Sequence, residues 1–301
     1  MRIVGREKVW RSHSAGNTPS MTVEPGEVFA VDTELCSGDW YHSLEDTWVQ
    51  GKVEGGNPAV CIGIRGAKPG DALAVQILDI VPEKLGYTLL RDVDMAGEIL
   101  GEPIRRAQRN VEIQNGELCW NGSLKIPVSP MVGTLGVAAP GAPDNHFAGP
   151  HGGNMDAQEL RPGATVYLPV YYGGALLHVG DVHAMQGDGE ICNVGGIECR
   201  ARVTLCAEVI PGGLGAGCVW AEDADYLMAI ACEPETDASF FTACGELIRF
   251  IMRRYAIDRT ECYQLMGQIM HARCTQFVNP TRTYICKAPK AILDKGYKRL
   301  E

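Results

Sequence analysis

The chain has 301 residues, more than an ordinary single-core domain, and its 46% apolar and 21% charged residues are the balance of a globular protein. Its formal net charge of −10, with no basic run to offset it, argues against nucleic acid or an anionic membrane surface as a partner. Residues 1–20 hold no apolar signal segment, and nowhere is there an apolar stretch of about 18 residues, so a cytoplasmic protein without a membrane span is expected.

In chain order, Pro-Gly pairs at Pro25-Gly26, Pro69-Gly70 and Pro162-Gly163 predict type II turns, proline presetting the second position and glycine taking positive φ at the third. The runs that follow, VFAVDTEL from Val28, ALAVQILDI from Ala72 and TVYLPVYY from Thr165, have strand character. The clearest strand is 199–209. Its odd positions, Cys199, Ala201, Val203, Leu205, Ala207 and Val209, predict a buried face, and Arg200, Arg202, Thr204 and Glu208 a wet one. A glycine-rich connector, 211–218, leads to apolar residues at helical spacing from Phe240 to Tyr255. Asp258 with Glu261 resembles a capping box that opens a second helix ending near Met270, and Thr283–Cys286 returns to strand. The fold expected is mostly β, with sandwich- or barrel-like antiparallel sheets and a small helical α+β portion near 224–270. Two subdomains are expected: a β-rich one over 1–130, and a β-rich one over 131–301 with helices at about 237–270.

Two segments concentrate chemistry. In Val179–Glu190, Asp181 and His183 project from one face of an extended strand, a common way to offer two ligands to one ion, and Gly187 and Gly189 allow Gln186, Asp188 and Glu190 to swing back toward them. Upstream, Gly152-Gly153 places His151, Asn154 and Asp156 around a tight loop. A surface turn with solvated carboxylates is the plainer alternative for the first segment, and an Asx-turn for Asn154. Asp32 and Glu34 share a face of an early strand, where an acid needs a partner or a metal if it is buried. The twelve cysteines show no CxxC pair and read as small buried hydrophobes. Cys192 is a candidate nucleophile beside His183, disfavoured by the acidic surroundings that would raise its pKa. No nucleophile elbow, phosphate loop or dinucleotide fingerprint is present.

At these residues the chain resembles the acetamidase/formamidase family. The resemblance is carried by TVEPGE at 22–27, NPA at 57–59, GAKPGDALAVQILDI at 66–80, IPVSPMVGTLGVA at 126–138, GPHGGNMD at 149–156, YLPV at 167–170 and GALLHVGDVHAMQGDGEIC at 174–192. Pro140-Gly141, and Gln276 and Pro280 ahead of KAPKAIL at 287–293, add to it. Cys36 stands where the pattern has Asp, Cys61-Ile62 replaces Gly-Pro, Asn279 replaces Asp, and Gly195-Gly196 interrupts the run after Cys192. The resemblance implies hydrolysis of short amides such as formamide or acetamide to carboxylate and ammonia, in a mostly β homo-oligomer, a dimer or larger.

The residue mix points to a divalent metal, zinc foremost and calcium as the alternative, held by a subset of Asp181, His183, His151 and Asp156. Glu190 or Asp188 would then be the base, with Asn154 and Gln186 bonding the amide or its oxyanion. Glu34, Asp32 and Cys192 are further candidates. Two rival readings are a family member that binds a small amide without turnover, and a thiol amidase using Cys192.

Overall fold

A computed structural model describes residues 1–51, 53–90 and 94–300. It is 42% strand and 15% helix, with one curled, mostly antiparallel sheet, so β structure dominates as the alternation implied. The three Pro-Gly turns are present, with Gly26, Gly70 and Gly163 at φ of 78°, 93° and 94°, and strands Val28–Thr33, Ala72–Leu90 and Thr165–Pro169 follow them.

Two long strands, Ala72–Leu90 and Asn193–Ile210, pair antiparallel along nearly their whole length and form the spine of the sheet. Irregularities between Val194 and Glu198, between Cys199 and Ala201, and between Thr204 and Leu205 break their register and bend them. Asn193–Ile210 is flanked on its other side by Val28–Thr33 and, at Cys199 and Glu198, by Val182 and His183 of the strand Leu177–His183. Strand pairing therefore runs across the expected subdomain boundary at 130/131. Two short N-terminal strands pair parallel: Arg2–Val4 with Val28–Thr33, and Met21–Val23 with Ala59–Ile64.

The strand order that matters for function is local. Leu177–His183 is buried at every position and lies against Met131–Val137, which in turn pairs with Gly152–Asn154. On its other edge it pairs with Ala59–Ile64 up to Gly180, and from Val182 onward with Asn193–Ile210. Asp181 sits where the neighbour changes.

The helical portion comprises Thr236–Arg254 and Arg259–Ile269, preceded by the strand Tyr226–Glu233. Asp258 caps the second helix, accepting from the backbone N–H groups of Thr260 and Glu261 at 2.8 and 3.1 Å. The first helix buries Ala243, Leu247, Phe250 and Ile251 against the sheet, with Phe250 stacked on Trp220 at 4.6 Å. Short helices at Asp94–Leu100 and Lys290–Gly296 complete the chain. Among the described residues no helix is long and apolar enough to cross a membrane.

Candidate metal and amide site

Five titratable side chains meet beneath the end of the Leu177–His183 strand: Asp156, Asp181, His183, Glu190 and Glu198, all between 1% and 6% exposed. His183 and Glu198 are direct cross-strand partners, so their side chains share a face, and His183 Nε2 lies 3.1 Å from Glu198 Oε1 and 3.3 Å from Asp181 Oδ1. Asp156, Asp181 and His183 each bring a ligand atom within 4.8 Å of the others, and Cys36, Asp181 and Glu198 form a second such group. Gly133, on the strand between, permits the convergence. A Cβ there would lie 2.5 Å from Asp156 Oδ1 and 2.9 Å from Asp181 Oδ2.

Backbone strain concentrates at the same place. Asn57, Asp156, Asp181 and Glu190 all take φ between 45° and 51°, a left-handed conformation that favours glycine. Each such residue costs roughly 1–3 kcal/mol, so the surrounding sheet must enforce it.

A second layer fixes the orientation of the first. Gln186 Nε2 donates to the carbonyls of Asp156 and Thr275 at 2.9 and 3.2 Å, which leaves its Oε1 to accept from His183 Nδ1 at 2.7 Å. His183 Nε2 is thereby turned toward the carboxylates. Asn57 Nδ2 reaches Asp181 Oδ2 at 3.2 Å, Thr134 Oγ1 at 2.8 Å and Asn154 Oδ1 at 2.9 Å; Thr134 also donates to Asn154 Oδ1 at 2.7 Å. With its oxygen engaged twice, Asn154 keeps its N–H groups for the cavity. Asn279 Nδ2 holds Asp156 Oδ2 at 2.6 Å.

The charges do not balance within the protein. Burial and the neighbouring Asp181 raise Asp156 to about 6, and burial raises Glu198 to about 7. Glu190 is pushed well above the carboxylate range by burial and by Asp156. Burial opposes the charged His183, yet Glu198 and Asp181 outweigh it and push the imidazole well up. Asp181 is also buried, but His183 holds it below its usual value. Asp156 Oδ1, Glu190 Oε2 and Glu198 Oε2 are buried without a hydrogen-bond partner, and Asp181 Oδ1 and His183 Nε2 meet only as an ion pair at 3.3 Å without hydrogen-bond geometry. Each orphaned group costs about 1–3 kcal/mol. Oxygen and imidazole donors without well-formed hydrogen bonds, facing one another in a dry site, fit a divalent cation. Above them opens a cavity of about 250 Å³, with Asn57, Asn154, Asp181, Glu190, Glu198 and Asn279 among its lining residues.

Of the residues expected from sequence, the structure brings together Asp156, Asp181, His183, Glu190 and Asn154. Others stand elsewhere. Gln186 packs behind His183 with its amide already engaged, so it does not contact a substrate. Asp188 is exposed and pairs with Arg273 at 2.7 Å. Asp32 pairs with Arg202 at 2.7 Å, its register partner on the next strand, and Glu34 with Arg200 at 2.5 Å. Cys192 lines a neighbouring hollow with Met185, Ile191 and Ile197 and does not line the carboxylate cavity. His151 meets His13 edge-to-face, with ring centroids 4.9 Å apart, and does not join the carboxylate cluster. Residues the sequence reading did not select as site residues are Asn57, Thr134, Glu198, Cys36 and Asn279. Glu198 becomes legible only through cross-strand pairing, whereas Asn57 and Thr134 lay in the quoted NPA and IPVSPMVGTLGVA stretches without being picked out.

Comparisons with known proteins identify the chain's relatives. The Acetamidase/Formamidase family matches residues 148–223, which contain Asn154, Asp156, Asp181, His183, Glu190 and Glu198. A solved structure of a predicted acetamidase/formamidase from Thermoanaerobacter tengcongensis superposes with a TM-score of 0.90 at 30% identity, covering 98% of this chain and 97% of the other. This chain belongs to the acetamidase/formamidase family. An acetamidase from Bacillus halodurans is similar, with a TM-score of 0.88 at 30% identity over 98% of this chain and 99% of that one. A Mycolicibacterium smegmatis acetamidase is 26% identical over 261 residues, 64% of each chain. The chain spans only 51% and 64% of the length of the first curated relatives it matches.

Beside the site of this acetamidase/formamidase family member lies a second buried cluster. His13 packs between His151 and His178, at 4.9 and 4.8 Å between ring centroids. Burial pulls His13 well below the ordinary imidazole range and lowers His151 and His178 to about 4. The unfolded chain, with histidines near pKa ~6.5, binds protons that the native state refuses, so stability falls as pH drops from about 6.5 toward 4. His13→Leu should flatten that acid limb. The check is the difference in Tm between pH 8 and pH 4.5, smaller in the variant than in the wild type.

Gly133→Ala should drive Asp156 and Asp181 apart. A displacement of about 1 Å is expected to lower turnover by roughly 10²-fold. The same Cβ would lie 2.8 Å from the Asp181 carbonyl oxygen, so Tm should fall as well. Turnover measured well below the variant's Tm, against wild type at the same temperature, checks this.

Proposed function

We propose that the chain is a metal-assisted amidase that hydrolyses linear carboxamides to a carboxylate and ammonia. The observation that carries the reading is the set of five buried donor atoms, none in a well-formed hydrogen bond, beneath a cavity of about 250 Å³. Family membership supports it, and so do the names of the solved relatives.

In this proposal Asp156, Asp181 and His183 hold a zinc ion, with Glu198 and Cys36 at hand on the second face of Asp181. A bound divalent cation supplies Lewis-acid polarisation of an amide carbonyl and a lowered pKa for water. The chain's own groups do the rest. Gln186 keeps His183 Nε2 aimed inward by accepting at Nδ1, an arrangement that also fixes the tautomer. Asn154 offers its N–H groups to the carbonyl oxygen, where negative charge develops. Glu190, one of the residues that line the cavity, takes the proton of the attacking water and returns it to the nitrogen as the C–N bond breaks.

Ammonia release from acetamide tests the reading. Glu190→Gln should lower kcat by roughly 10²–10⁴-fold, and Asn154→Ala by roughly 10²–10³-fold, both with near-normal folding. Wild-type kcat in Glu190→Gln would overturn the assignment of the base.

A further inference from the structure

Resting on the amidase reading, one feature of the cavity goes beyond it. At about 30 Å³ for each water-sized group, a cavity of about 250 Å³ holds about eight such groups. A carboxamide head and an attacking water take about four of them. Formamide or acetamide would leave the remainder wet.

The wall over that remaining space is apolar and built to stay in place. Trp48 and Val194 line it, and both pack on the buried cluster of Leu35, Tyr41, Tyr87 and Leu89. Trp48 is pinned from several directions. The Arg106 guanidinium lies 3.9 Å from the indole centroid and donates to the Trp48 carbonyl at 3.1 Å. The Trp48 backbone N–H donates to Gln108 Oε1 at 2.6 Å, and Gln108 is itself held by the Asp46 carbonyl at 3.0 Å. An indole fixed in this way is a preorganised apolar surface, which loses little freedom when a ligand settles on it.

Charge narrows the choice further. Among the described lining residues there is no lysine or arginine to receive a substrate carboxylate, and His146 is already paired with Asp144 at 2.6 Å. A carboxylate at the far end of the acyl chain would therefore be left unpaired against Trp48 and Val194.

We propose that the site prefers neutral carboxamides whose apolar acyl chain carries about four further carbons, seated against Trp48, over formamide and acetamide.

The test is kcat/KM for formamide, acetamide, butyramide, hexanamide and succinamate with the metal-loaded protein, in wild type, Trp48→Ala and Trp48→Phe. The wild type should gain about fourfold per methylene up to hexanamide, with succinamate the poorest substrate. Trp48→Ala should lower the hexanamide-to-acetamide ratio by about tenfold or more, and Trp48→Phe should keep most of it. A ratio taken on one preparation does not depend on the fraction folded, so partial misfolding of a variant leaves the comparison intact. A steady fall from formamide to hexanamide, or a ratio unmoved by Trp48→Ala, would overturn this specificity while leaving the amidase reading standing. No turnover of any amide would overturn both.

Discussion

Four carboxylates and one imidazole cannot be packed together out of water unless something positive stands among them. That constraint organises this protein. Burying like charges a few ångströms apart raises carboxylate pKa values and leaves lone pairs unmatched, and Asp156, Glu190 and Glu198 are all pushed upward here. His183 offsets part of the charge, but the single imidazole leaves Asp156 Oδ1, Glu190 Oε2 and Glu198 Oε2 without partners. A divalent cation would convert the most unfavourable contact in the fold into a reason for it.

The sheet is what holds such a cluster together. Asp181 lies where its strand exchanges one neighbour for another, so its backbone departs from the ladder without stranding a run of hydrogen bonds. Glu198 follows the irregularity after Val194 that bends the long strand beside His183. Gly133 supplies the gap through which two carboxylates face each other. The strained φ angles of Asn57, Asp156, Asp181 and Glu190 are offset by a core whose strands, such as Met131–Val137 and Leu177–His183, are buried throughout. Stability is spent at the site and recovered in the sheet.

Much of the architecture was legible in the sequence because it rests on short-range rules. The Pro-Gly turns, the alternation over 199–209 and the Asp258 cap each depend on residues within a few positions of one another, and all appear in the fold except at Arg200, expected on the wet face but buried where it pairs with Glu34. Asp181 and His183 were visible together because two residues on a strand share a face. Glu198, Thr134 and Asn57 were not, since only long-range pairing brings them alongside. The same long-range facts separate Asp188 and His151 from the cluster: Arg273 captures the first at the surface, and His13 draws the second into a packed group of imidazoles. Asp32 and Glu34 were acids on a strand in want of a partner, and arginines on the neighbouring strand supply it. Glycine-rich acidic segments announce a site; which acids face it is decided by strand register.

The central claim is that these buried donors hold a divalent cation on which amide hydrolysis depends. Ammonia release measured on protein stripped by a chelator, and again after one equivalent of zinc is returned, addresses it directly. The account predicts that turnover is lost on stripping and restored by zinc in the wild type, and that Asp181→Asn regains neither the metal nor the activity. Full turnover by the stripped protein would contradict it.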